Sequence, residues 1–168
     1  MRIRAITEFY FSPTGGTRQT TVAVARAMAA ALAVPMQTVD ITRRSDRQQA
    51  HCFREDDLAI VGMPTYAGRL PNKIAPDLRA CLQGRCTPAV AVVTFGNRAY
   101  DNALAELCAL LEARGFLPFG AAAQPCRHAF SDRLAPGRPD GRDLAALAAF
   151  GRQLAGRLQR GDLSRAAV

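Results

Sequence analysis

The chain is short of lysine, of closely spaced cysteines and of long apolar runs, and each shortage closes off a class of protein. Charged residues break every apolar stretch before the ~18 residues that a membrane-crossing helix needs. Residues 1–8 (MRIRAITE) carry charge from the second position, which is the wrong start for a secretory leader, so the expected compartment is the cytoplasm. Lys73 is the only lysine, and no G-K-[S/T] loop of a nucleoside triphosphatase is present. Cys52, Cys81, Cys86, Cys108 and Cys126 are odd in number and contain no C-x-x-C. Free thiols are therefore expected, with no disulfide framework, no structural zinc and no iron–sulfur cluster. Cys108 and Arg114 stand at the C-x5-R spacing of a phosphatase loop. The residues between them are helix formers without glycine, and Glu112 would repel phosphate, so that reading is set aside. His51 and His128 are the only histidines, and no acid–base pair is evident.

What remains is an ordinary globular composition. The 168 residues are 49% apolar and 21% charged, enough for one domain, expected over residues 1–160 with a flexible tail at 161–168. The formal charge is +8, carried almost wholly by arginine. The arginines are not clustered, so nucleic-acid binding is not expected, and the charge favours acidic partners.

Patterning predicts alternating strands and helices. Residues 4–11 (RAITEFYF) read as a strand stopped by Ser12-Pro13, and 17–33 as a helix with Val22, Ala25, Ala29 and Leu32 on one face. Residues 36–41 read as a short strand and 42–55 as loop with at most a helical turn. Residues 58–63 (LAIVGM) and 89–95 (AVAVVTF) are continuous apolar runs, the mark of central parallel strands covered on both faces. Helices are predicted at 74–82, at 101–114 with Gly115 as the stop, and at 140–158 with Asp140 as N-cap. Residues 116–123 contain Pro118, which suits an edge strand. The order implies an α/β three-layer sandwich around a five-stranded parallel sheet of order 2-1-3-4-5. Its ligand site is then expected at the carboxyl ends of the first, third and fourth strands.

Three loops fall at those ends. Ser12-Pro13-Thr14-Gly15-Gly16-Thr17 packs three hydroxyls and two glycines at a helix start, a cradle suited to a phosphomonoester held by neutral donors. Residues 64–71 (PTYAGRLP) place Tyr66 where it can stack on a flat ring, with Gly68 free to let a peptide turn. Residues 94–101 (TFGNRAYD) offer polar groups for the edge of a heterocycle, and Asp101 is expected to cap the next helix. Phosphate donors, a stacking ring and polar edge groups on one sheet edge together suit a planar heterocycle with one phosphate, such as flavin mononucleotide (FMN).

On these segments the sequence resembles the flavodoxin family, whose phosphate signature [T/S]-x-T-G-x-T is matched by residues 12–17. Residues 64–71, 94–104 (TFGNRAYDNAL) and 137–140 (GRPD) look more narrowly like the flavodoxin domain of fusion proteins that carry a ferredoxin-like domain with two [4Fe–4S] clusters. The resemblance spans roughly residues 3–160. It implies a flavodoxin-like fold with FMN as cofactor and no metal. It also implies that Ser12, Thr14, Gly15, Gly16 and Thr17 hold the phosphate. Pro64, Thr65, Tyr66, Ala67 and Gly68 would flank one side of the isoalloxazine, and Thr94, Phe95, Gly96, Asn97, Arg98 and Tyr100 the other. By the same resemblance, Ala67-Gly68 is where a peptide would turn to meet N5 of the reduced ring.

Two departures shape the functional expectation. The sequence holds no C-x2-C-x2-C run, so a separate redox partner, a ferredoxin or a reductase, is expected in place of the fused half. Flavodoxins are typically acidic and this chain is basic, which points to an acidic partner and makes Arg98 a cation expected to favour the anionic reduced flavin. An electron carrier with no catalytic side chain of its own is the expected function. The alternative is an FMN-dependent reductase taking electrons from NAD(P)H to a quinone-type acceptor. A non-redox domain that has kept the fold is the third reading.

Overall fold

A computed structural model describes residues 2–96 and 98–168; Asn97, expected among the binding residues, lies outside them. The chain runs β1 (Ala5–Tyr10), α1 (Gly16–Leu32), β2 (Met36–Asp40), a 3₁₀ turn (Ser45–Gln48), β3 (His51–Cys52) and β4 (Asp57–Pro64). It continues through α2 (Ala75–Cys81), β5 (Leu82–Gln83), β6 (Thr87–Phe95), α3 (Ala103–Ala113), β7 (Phe116–Pro125) and α4 (Gly141–Gln159). The main sheet is five-stranded in the order β2-β1-β4-β6-β7, with every pairing parallel. Counting only its own strands, that is the expected 2-1-3-4-5.

The two unbroken apolar runs became β4 and β6 because both of their faces are covered. Phe9, Val61, Met63, Ala91 and Val93 pack with Leu78, Leu107 and Leu111 on one side of the sheet. Ile6, Leu58, Ile60, Val90 and Val92 pack with Val24, Met28 and Leu154 on the other. The layers are thus α2 and α3, the sheet, and α1 and α4. Glycine sets how closely α1 approaches, since a Cβ at Gly62 would overlap the Thr21 methyl, and one at Gly151 would lie 2.8 Å from the Val24 carbonyl oxygen. Pro118 falls on an edge strand beside a register shift at Ala89/Val90, where a missing ladder donor does least harm.

Two local expectations are corrected. Leu82 leaves the helix predicted over 74–82 and opens β5, which pairs with β3 as a separate two-stranded ladder. Two-residue strands carry no readable period, and this one forms as Phe53, beside Phe116 at 5.5 Å between ring centroids, joins the core. Asp101 does not cap α3. The N-cap position is Asn102, while Asp101 takes a positive φ of 40° against Gly68. Asp140, by contrast, caps α4 as expected, accepting from the Arg142 and Asp143 amides in a capping box with Asp143. Residues 161–168 hold no regular element. They lie along the domain, with the Ala166 amide donating to the Pro118 carbonyl at 3.0 Å and Arg165 paired with Glu112 at 2.6 Å. No helix among the described residues is long and apolar enough to cross a membrane.

Candidate functional site

The carboxyl edge of the sheet opens into a cleft of about 350 Å³, within the size range of small-ligand sites. Four segments wall it: Pro13, Thr14 and Gly16 after β1; Pro64 to Ala67 at the end of β4; Thr94 to Gly96 at the end of β6; and Cys126 to Phe130 after β7.

The first wall is shaped by how the chain enters α1. Gly15 turns left-handed at φ 85° to start the helix, a conformation that suits glycine. It supplies no side-chain cap. Ser12 Oγ accepts from the Arg18 amide at 3.0 Å, and the Ser12 amide donates to Thr42 Oγ1 at 3.0 Å. Thr17 turns inward, and its hydroxyl meets that of Thr94 at 2.8 Å, both buried. The helix start is thereby keyed to the end of β6, and Thr14 is left at the mouth with an exposed hydroxyl.

The second wall is a tied-down turn. Tyr66 and Arg69 exchange backbone hydrogen bonds at 2.9 and 3.1 Å, with Ala67 and Gly68 between them at φ 50° and 76°. Positive φ at both central positions is the type I′ pattern. Glu106 of α3 anchors this turn, accepting from Arg69 at 3.0 Å and from the Leu70 amide at 3.0 Å. The Arg69 guanidinium beside it holds the Glu106 carboxyl below its usual range. The Asn102 amide also donates to the Gly68 carbonyl at 3.0 Å. So fixed, Tyr66 presents a ring that is 47% exposed at the cleft, its phenol pushed up by partial burial. Beside it, Thr65 Oγ1 is buried without a hydrogen-bond partner among the described residues. Buried hydroxyls are normally paired, so this wall carries a polar atom with hydrogen-bonding capacity to spare.

The third and fourth walls interlock. The Thr65 amide donates to the Thr94 carbonyl at 2.7 Å and the Cys126 amide to the Phe95 carbonyl at 2.8 Å. The His128 ring lies on Gly96, where any Cβ would overlap it. The Phe130 amide donates to His128 Nδ1 at 3.1 Å, and the Phe130 ring, 95% exposed, stands edge-on to the imidazole at the lip.

Of the residues expected from sequence, Thr14, Gly16, Pro64, Thr65, Tyr66, Ala67, Thr94, Phe95 and Gly96 come together around the cleft. Ser12, Gly15, Thr17 and Gly68 stand directly behind them as its support. Tyr100 packs on Phe95, with ring centroids 5.4 Å apart, and does not line the cavity. Nor does Arg98, which is exposed and paired with Asp101 at 2.9 Å, so a carboxylate offsets its charge. Sequence reasoning missed Cys126, Arg127, Ala129 and Phe130 and flagged only His128. The available signal was a long, pattern-free stretch leaving the carboxyl edge of the last strand, a length at which loops are usually functional.

Comparison with known proteins follows this geometry. No family model and no curated protein matches the sequence. Among solved structures, a flavodoxin from the domain Archaea aligns over 92% of this chain and 99% of its own, with TM-score 0.63 and 13% identity. The two-electron reduced flavodoxin of Megasphaera elsdenii aligns over 90% and 98%, with TM-score 0.58 and 16% identity. The rubredoxin oxygen:oxidoreductase of the anaerobe Desulfovibrio gigas is matched over 97% of this chain but only 38% of its own, with TM-score 0.61 and 16% identity. The present chain therefore spans well under half of that oxidoreductase. The architecture is a flavodoxin-like α/β sandwich, and the cleft lies where strand order reverses, at the ligand-binding edge of such sheets.

Proposed function

We propose that the protein binds FMN in this cleft and carries electrons between redox partners in the cytoplasm. The observation that carries the proposal is the convergence of an open-ended phosphate-type loop, a tethered and half-exposed Tyr66 and the unpaired hydroxyl of Thr65 on one cavity. The donor set fits the cofactor. Thr14 and Gly16, braced by Ser12, Gly15 and Thr17, would hold the phosphate. Tyr66 with Thr65 and Ala67 would border one side of the isoalloxazine. Thr94, Phe95 and Gly96 would border the other, with Arg98 and Tyr100 in the loop behind. FMN supplies reversible one- and two-electron chemistry, while the chain sets its access and potential.

The Tyr66 backbone is held by the tied-down turn, so the point from which its ring reaches the ligand is in place before binding and less backbone freedom is lost. The buried Thr17–Thr94 pair would help to hold the phosphate and ring ends of the cleft together. Cys126 at the floor stays a thiol, since burial pushes it up to about 11. A formal charge of +8 favours an acidic partner, a ferredoxin or a reductase supplied as a separate chain.

The deciding experiment gives the FMN-loaded protein NAD(P)H with and without a ferredoxin-type reductase. A carrier is reduced only when the reductase is present. Steady NAD(P)H oxidation by the protein alone, passing electrons to a quinone, would replace the carrier with the reductase alternative.

A further inference from the structure

A second, polar cavity of about 160 Å³ adjoins the cleft at the start of α1, lined by Thr14, Gly16, Gln19, Arg127 and Arg138 among others. It shares Thr14, Gly16 and Arg127 with the cleft, so one ligand can reach from the first into the second. Its far wall belongs to the excursion between β7 and α4, which doubles back so that the Arg127 amide donates to the Arg138 carbonyl at 3.0 Å.

Resting on the FMN reading above, we infer that Arg138, assisted by Arg127, is the specificity-determining wall that selects a phosphorylated flavin by charge. The loop at residues 12–17 contributes only neutral hydroxyls and amides to the same phosphate. The geometry gives Arg138 the means. Its Nε and Nη2 both engage Asp143, which orients the guanidinium and leaves Nη1 as the donor that Asp143 does not use. A guanidinium already oriented loses less freedom on meeting a phosphate than a free one. Asp143 does not cancel the effect at the cavity, because Arg138 and Arg127 line it while Asp143, which also accepts from the Asp140 amide in the first turn of α4, stands behind the guanidinium and is not part of the lining. Arg127 is paired only with Asp132, which is largely exposed, so water screens that carboxylate. Charge-assisted bonds of arginine to phosphate are about twice as strong as neutral ones. Loss of Arg138 therefore weakens binding of FMN and leaves riboflavin, the same ring without phosphate, unaffected.

The test titrates apoprotein with FMN and with riboflavin at low and high salt, for wild type, R138Q, R127Q and D143N, with thermal unfolding confirming that each variant folds. R138Q is expected to lose about tenfold or more in FMN affinity and to hold riboflavin within about twofold. R127Q loses less, and salt weakens FMN binding in wild type more than in R138Q. D143N removes the orienting partner but keeps the guanidinium, so it retains more of the preference for FMN over riboflavin than R138Q does. The inference is overturned if R138Q and R127Q keep the wild-type preference, or if D143N loses it to the same extent as R138Q. A wild-type protein that binds both flavins equally removes this inference alone. One that binds neither removes the FMN reading as well.

Discussion

The hydroxyls of Thr17 and Thr94 meet at 2.8 Å inside the protein, joining the first turn of α1 to the last residues of β6. The two are 77 positions apart in the chain, so this contact adds to the sheet ladders a direct tie between the loop assigned to the phosphate and the loop assigned to the ring. Removing either hydroxyl leaves the other buried and unpaired. T17V and T94V are each expected to cost about 1–3 kcal/mol, and the double variant less than their sum, because no orphan then remains. Urea unfolding of the four proteins checks this, and strictly additive losses would show that the hydroxyls do not act as a pair.

Packing of α1 on the sheet makes a second expectation. Gly62 lies directly under Thr21, whose hydroxyl is committed to the Thr17 and Arg18 carbonyls and cannot easily swing aside. G62A should therefore lower stability by about 1–3 kcal/mol through overpacking. A melting temperature equal to wild type would mean that the helix start is free to shift, against the rigid site described.

Acid should unfold the protein in a recognisable window. Arg138 holds the Asp143 carboxyl down at about 2, and Arg157 with Ser164 holds Asp162 low as well. An unfolded aspartate titrates near ~3.9. Because the folded value is the lower one, the stabilisation is fully present above about pH 4 and is lost as pH falls toward about 2. Stability measured across that range should drop more steeply for wild type than for D143N. Parallel curves would detach the ion pair from folding.

Thiol reactivity separates the cysteines by environment. Cys52 and Cys86 are exposed, while Cys81, Cys108 and Cys126 are buried. Burial pushes Cys108 and Cys126 up to about 11 and raises Cys81 too. A thiol reagent near neutral pH should label Cys52 and Cys86 promptly and the others only on unfolding. Prompt labelling of Cys126 would mean that the floor of the cleft opens.

Much of this architecture was legible because its signals are local. The runs at 58–63 and 89–95 could bury both faces only between helices, and Pro118 could sit only where a donor is not needed. Asp140 and Gly115 marked helix ends through capping chemistry that acts within a few residues. Three of the four walls of the cleft were legible for the same reason, since hydroxyls, glycines and one tyrosine declare their chemistry in sequence. Tertiary context decided what was missed. Leu82 follows helix formers yet pairs with a distant His51. Asp101 has the composition of a cap but is drawn to Arg98 and Gly68. The wall from Cys126 to Phe130 is held by bonds to Phe95 and Leu134 and by contact with Gly96, none of which leaves a period in the sequence.

The central claim is that the cleft between Thr14 and Tyr66 takes up FMN, and its most direct measurement is a titration of flavin fluorescence with the apoprotein. Stacking against Tyr66 should quench the emission to an end point at one FMN per chain, and Y66A should bind about tenfold more weakly, as expected for the loss of one aromatic–ring stack. Emission that stays unchanged at every protein concentration would contradict the account.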